Sequence, residues 1–174
     1  MNVVLSMAIS PNGLIAREDG REDWLPSENW DDFLVDAKAF NNIVMGRETY
    51  ELVKKLYADY NFDNVDIAHK VIITRNQDFK AEGYAVVHSP EEAVTYLRQQ
   101  SIDNVLLIGG GKLNTEFIKA SLVDEIWLTV TPYIIGKGRP FISPEDFDLP
   151  LIFKESKQLS GGRVQLKYRL KEQS

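Results

Sequence analysis

An apolar run, Val105 to Ile108, halts at three consecutive glycines, Gly109-Gly110-Gly111, and Lys112 follows at once. Leu113, Phe117, Ile118 and Leu122 then recur at the spacing of one buried helical face. No other stretch constrains the fold as much. It reads as a buried strand that gives way, through bare backbone, to the start of a helix. Backbone without side chains at that place lets a ligand touch the main chain. The first N–H groups of the helix and the positive end of its dipole suit a phosphate. A tight strand-to-helix turn with no ligand satisfies the same three glycines, so the neighbouring segments have to decide.

They repeat the arrangement. Asn2 to Ile9 reads as a strand closed by Ser10-Pro11-Asn12-Gly13. Leu14-Ile15-Ala16 follows as an isolated apolar triplet, which either tucks back onto the core or covers a ligand. Ser27 is a candidate N-cap for a helix from Glu28 that gathers Trp30, Phe33, Leu34, Ala37 and Phe40 on one face. A short buried strand, Asn42 to Met45, runs into Gly46-Arg47-Glu48-Thr49-Tyr50 and a helix through about Leu56. Arg47 offers a bidentate charge there, and Thr49 a hydroxyl donor. Residues 57 to 69 read as a surface loop anchored by Tyr57, Tyr60 and Phe62. Val71-Ile72-Ile73 is a strand with Thr74 and Arg75 at its end, and Tyr84 to Val87 is another. Ser89-Pro90-Glu91-Glu92 combines an N-cap, a proline at the first helical position and acids on the dipole. Asp124 to Thr131 reads as a long strand, and Tyr133 to Phe141 as an irregular loop. Ile152 to Gln158 and Val164 to Leu170 form a hairpin across Ser160-Gly161-Gly162.

Strands alternating with helices imply a largely parallel sheet with helices on both faces, extended by the terminal hairpin. Such sheets bind ligands beyond the carboxyl ends of their strands. The segments Ser10 to Ile15, Gly46 to Thr49, Thr74-Arg75 and Gly109 to Lys112 all fall at such ends. Together they point to an extended, phosphate-bearing ligand. Neither the Rossmann glycine spacing nor the P-loop pattern occurs.

Composition removes other classes. A formal net charge of −6 argues against nucleic acid or an anionic membrane as the main partner. The absence of cysteine excludes disulfides, thiolate nucleophiles and cysteine-based zinc sites. His69 and His88 do not stand at a metal-ligand spacing, and no metal is expected. The chain opens directly on an apolar strand with no secretion signature, and no apolar run approaches a membrane span. The expectation is a single cytoplasmic domain covering residues 1–174.

Met45-Gly46-Arg47-Glu48-Thr49-Tyr50, Ile108-Gly109-Gly110-Gly111 and Asn12-Gly13-Leu14-Ile15-Ala16 resemble dihydrofolate reductase. Trp24 with Ser27, Leu122-Val123-Asp124-Glu125 and Gly136-Lys137-Gly138-Arg139-Pro140-Phe141 are closer to a sister group. That group is the reductase domain of the bifunctional riboflavin-biosynthesis deaminase/reductase and its stand-alone relatives. The resemblance spans nearly the whole chain. It implies a three-layer α/β sandwich and NADPH-dependent hydride transfer to a pterin-like or aminopyrimidine substrate, by a homodimer.

By the same resemblance, Gly109, Gly110, Gly111, Lys112 and Leu113 hold the pyrophosphate, and Arg47 and Thr49 bind the phosphates. Thr74 and Arg75 lie near the adenosine 2′-phosphate, and Ala8, Ile9, Leu14 and Ile15 face the nicotinamide. Residues 12–24 form a mobile loop. Glu28, two residues after a Leu-Pro pair, stands where dihydrofolate reductase keeps an acid, and Asp31 or Asp32 are alternatives. Authentic dihydrofolate reductase and a non-catalytic nucleotide-binding module on the same fold are the competing readings.

Overall fold

A computed structural model of the protein describes residues 1–58 and 61–170. Tyr60 lies outside the described residues. An eight-stranded sheet organises the molecule, in the order β5-β4-β3-β6-β1-β7-β10-β9. Its strands are β1 (Asn2–Ile9), β3 (Asn42–Gly46), β4 (His69–Ile73), β5 (Ala85–Val87), β6 (Asn104–Leu107), β7 (Glu125–Val130), β9 (Leu151–Gln158) and β10 (Val164–Leu170). The pairings from β5 through β7 are all parallel, and β10 lies antiparallel to both β7 and β9.

Alternation along the buried strands sorts side chains into two cores, because successive Cβ atoms leave opposite faces of a strand. Val44, Val71, Val105 and Leu107 pack with Leu97 of helix α3 (Pro90–Gln99) and Leu113 and Phe117 of helix α4 (Gly111–Lys119). Ile43, Met45, Ile72 and Leu106 pack with Ala37 of helix α1 (Glu28–Phe40) and Tyr50 and Val53 of helix α2 (Arg47–Leu56). Helices therefore cover both faces. The protein is the three-layer sandwich that its alternating pattern implies.

Two local expectations change. Ser27 precedes α1 in helical backbone and makes no capping hydrogen bond; its hydroxyl donates instead to Oε2 of Glu28 at 3.2 Å. Ser89 does cap α3, accepting from the N–H of Glu92 at 3.2 Å. The segment Tyr133 to Phe141 is not wholly irregular. Arg139–Pro140 forms strand β8, paired antiparallel with β2 (Leu14–Ala16). That ribbon is closed by the Phe141 N–H donating to Gly13 O at 3.1 Å, and Asn12 Nδ2 donates to Ile135 O at 2.7 Å. Pairing between segments so far apart in sequence is invisible to local pattern. Ile15 and Ala16 are buried by it. Among the described residues, no helix is long and apolar enough to cross a membrane.

Candidate active site

The carboxyl ends of β3 and β6 are tied together by backbone. Ile108 N–H donates to Val44 O at 2.9 Å, and Gly46 N–H donates to Gly109 O at 2.8 Å. The two helices that follow, α2 and α4, therefore present their N-terminal turns side by side. Gly109 takes φ +92°, where a side chain is strained, and its peptide to Gly110 is cis. A Cβ on Gly111 would strike the carbonyl oxygen of Pro140 in β8. A Cβ on Gly110 would meet only Thr49 Oγ1, at 3.2 Å. The run is thus packed behind and open in front.

In front of it lies a cavity of about 630 Å³ lined by Arg47, Thr49, Thr74, Arg75, Gly110, Gly111, Lys112 and Leu113. Arg139 and His88 join the lining. The cations converge from α2, the end of β4, α4 and β8. Three of them meet glutamates: Arg75 with Glu116 at 2.7 Å, Arg139 with Glu48 at 2.6 Å, and Arg47 with Glu51 at 3.6 Å. Arg75 keeps 88% of its side chain exposed, so an arriving anion can take the guanidinium from its exposed partner. Glycine backbone, two helix N-termini and this ring of cations fit the phosphates of an extended nucleotide.

A second cavity of about 430 Å³ opens on the other side of β1 and holds Asp32. Met7, Ile15, Glu22, Thr49, Val53 and Ile108 line both cavities, which makes the two one cleft. The second compartment has an aromatic wall. Trp30, Phe33 and Phe62 lie with ring centroids 5.0 to 6.0 Å apart. Tyr57, Leu25 and Pro26 complete it. Asp32 Oδ2 sits 2.8 Å from Nη1 of Arg163, whose side chain is 1% exposed, at an angle that makes no hydrogen bond.

The sequence-derived residues are distributed as follows. Ala8, Ile15 and Thr49 reach the second compartment, and Ile15 and Thr49 sit on the seam. Ile9 is buried in the core, Gly109 is buried behind its neighbours, and Leu14 lies outside both linings. Glu28 is exposed and outside the cavity lining, its carboxyl held below the usual range by its own backbone N–H and by Ser27.

Glu22 and Arg139 also line the cleft, where their local sequence does not mark them as site residues. Glu22 is partly accessible at the seam, yet enough protein crowds its carboxyl for burial to raise it to about 7. Its backbone N–H donates to the Tyr57 hydroxyl at 2.6 Å, and Arg17 pairs with Asp23 beside it. Glu22 stands in a segment without periodicity, where only the fold assigns a position.

Residues 1–165 match the RibD C-terminal domain family. The chain belongs to that family. It is 31% identical over 172 residues to the YwjB protein of Bacillus subtilis (strain 168), covering 95% of each chain. The crystal structure of a Shewanella sp. PV-4 protein assigned to riboflavin biosynthesis superposes with a TM-score of 0.81 at 21% identity, over 99% of this chain and 100% of that one. Dihydrofolate reductase from Enterococcus faecalis, solved with NADP(H) and RAB-propyl, gives a TM-score of 0.70 at 18% identity, over 98% and 97%. These two likenesses are of fold. Family and fold together support a reductase-type function.

Proposed function

We propose that the protein is an NADPH-dependent reductase that delivers a hydride to a small nitrogen heterocycle. One observation carries the reading: a basic, glycine-floored compartment and an aromatic-walled compartment meet at Met7, Ile15, Glu22 and Thr49. The dinucleotide-bound reductase of the same fold and the family membership support it.

In this reading Gly110, Gly111, Lys112 and Leu113 bind the pyrophosphate through backbone N–H groups at the start of α4, with Gly109 shaping the turn. Arg47 and Thr49 add charge and a hydroxyl at α2. Thr74 and Arg75 take the adenosine end, with Arg75 set for a 2′-phosphate. Ala8 and Ile15 border the nicotinamide, and Ile9 and Leu14 support them from behind. The cofactor supplies a hydride when bound. The chain aligns donor and acceptor across the seam, excludes water with Met7, Ile15 and Ile108, and holds a proton.

Glu22 holds that proton. A carboxyl titrating near neutrality beside the reacting atoms donates more readily than an ordinary, fully ionised one. Asp32, in the same compartment, is the acid that orients the ligand, whereas Glu28 faces solvent. The proposed setting is a cytoplasmic homodimer, with the exposed apolar residues Leu151, Ile152 and Phe153 of the edge strand β9 as the contact.

The test is titration with NADPH, followed by NADPH oxidation against dihydropterins and aminopyrimidines. Binding in the low micromolar range or tighter with turnover of one class is expected. A protein that does not bind NADPH is not this enzyme.

A further inference from the structure

The two compartments differ in what they can bind, because cations line one of them and, among the described residues, none lines the other. The cofactor side carries Arg47, Arg75, His88, Lys112 and Arg139 against Glu22, Glu48 and Glu116, of which Glu48 and Glu116 are paired with Arg139 and Arg75. The other side carries Glu22, Asp23, Asp32 and Asp36 and, among the described residues, has no Lys, Arg or His in its lining.

Two of these carboxylates have cationic partners, and both partners stand outside the lining. Arg163 approaches Asp32 with its side chain 1% exposed and is further held by Ser160 through Nε and Nη2 at 3.1 and 3.0 Å. Arg17 pairs with Asp23. Asp36 is half-buried, and its carboxyl is raised by burial against the pull of Lys167 and Lys157. Lys167 is itself engaged, with Glu155 at 2.8 Å and with the Trp127 ring at 4.0 Å. A ligand in this cavity therefore meets carboxylate oxygens, rings and the hydroxyl and amide groups of Ser6, Ser27, Asn29, Thr129 and Gln165, while the cations named above are turned to another partner or stand outside the lining.

Resting on the reductase reading above, we infer that the substrate of this protein is an amino-substituted nitrogen heterocycle that carries no phosphate. Ring N–H and exocyclic NH₂ groups match an acceptor-rich lining. A flat ring also fills the slot walled by Trp30, Phe33 and Phe62. A phosphate dianion has the opposite needs: cations or converging N–H donors, and no carboxylates beside it. Among the described lining residues, cations are found only on the cofactor side, where Glu48 and Glu116 are already paired with arginines. The compartment also extends to Gln165 and Ser27, so a neutral sugar or side chain on the heterocycle can be housed there.

The experiment compares an aminopyrimidine riboside with its 5′-phosphate, by calorimetry on the full chain saturated with NADP⁺ and again without nucleotide. The riboside is expected to bind at least about tenfold tighter, with the gap narrowing as salt is raised. Asp36→Asn and Asp36→Lys should close the gap stepwise by strengthening the phosphate ester. Equal or tighter binding of the phosphate ester by the unmodified protein overturns the inference, and so does failure of both compounds to bind. If NADP⁺ does not bind, the reductase reading falls, while the nucleotide-free arm still reports the charge preference of the cavity.

Discussion

The hydroxyl of Tyr57 accepts a 2.6 Å hydrogen bond from the backbone N–H of Glu22. This contact joins the residue after helix α2 to a segment that is otherwise held by the Arg17–Asp23 pair and by Gly20, which sits against Leu52 at φ +88°. It holds the backbone that places the Glu22 carboxyl on the seam. Tyr57→Phe removes the acceptor and leaves the ring. The expected result is a loss of about 1 kcal/mol of transition-state stabilisation, or about fivefold in kcat, with little change in NADPH affinity. Steady-state kinetics alongside an NADPH titration separates the two.

Glu22 itself has a pH signature. If its protonated form is required, turnover falls as pH rises through about 7. Glu22→Gln should lose about 100-fold in kcat and flatten that limb of the profile. Stability moves the other way. The folded-state pKa is raised above the ordinary glutamate value of 4.5, so the folded protein binds more protons than the unfolded chain between 4.5 and about 7. Stability therefore declines as pH rises through that window, and the penalty is complete above it. Glu22→Gln, which cannot ionise, should melt higher than the unmodified protein at pH 8 and show no such gain at pH 4. A thermal melt at the two pH values checks the sign.

The glycine run separates folding from binding. Gly110 has φ −81°, open to any L residue, and an added Cβ meets only the movable Thr49 hydroxyl. Gly111 faces the Pro140 backbone carbonyl, which cannot yield without moving β8. Gly110→Ala is expected to keep the melting temperature within a few degrees and weaken NADPH by about 1–3 kcal/mol. Gly111→Ala is expected to lower the melting temperature as well. If Gly110→Ala binds NADPH normally, the glycines form only a turn.

Arg75 should decide between the two nicotinamide dinucleotides. In the proposed reading its exposed guanidinium gives up Glu116 for a 2′-phosphate, so NADPH should bind more tightly than NADH. Arg75→Ala should cut that preference by about tenfold while leaving NADH nearly unchanged. The effect should shrink with added salt. Fluorescence titrations of both nucleotides at two ionic strengths measure it. Equal affinities in the unmodified protein would remove the 2′-phosphate from Arg75.

Most of the scaffold was legible in the sequence because it is local. Apolar runs such as Val71-Ile72-Ile73 and Val105 to Ile108 are short, unbroken and bounded by turn residues, and the i, i+3, i+4 rows of α1 and α4 name their own buried faces. The glycine and arginine positions were legible for the same reason, as they follow strand ends. What sequence could not supply was the path of residues 17–24 and 133–141. Leu14 pairs with Pro140, and Ala16 with Arg139. That ribbon brings Arg139 to the cavity in front of the glycines, and the path of residues 17–24 brings Glu22 to the seam. Ser27 is an instructive failure: its residue type suits a cap, but its helical backbone points the hydroxyl at Glu28.

Asp32 is the residue whose two roles most need separating. It lines the aromatic-walled compartment, and it is the carboxylate facing Arg163, a guanidinium with 1% of its side chain exposed. Ser160 satisfies Nε and Nη2 of that arginine, whereas Nη1 has Asp32 at 2.8 Å as an ionic partner without hydrogen-bond geometry. Removing the charge strands a buried cation, which is costly even after allowance for the 47% exposure of Asp32. Asp32→Asn should destabilise the protein by about 1–3 kcal/mol, lowering the melting temperature by about 2–12 °C. Adding Arg163→Met should recover most of that loss, because an apolar side chain of similar length needs no counter-ion. Substrate affinity in the double variant then reports the ligand-orienting role alone. A restored melting temperature with substrate binding still weakened by about tenfold assigns Asp32 to the ligand. Restoration of both leaves it as the partner of Arg163 and nothing more.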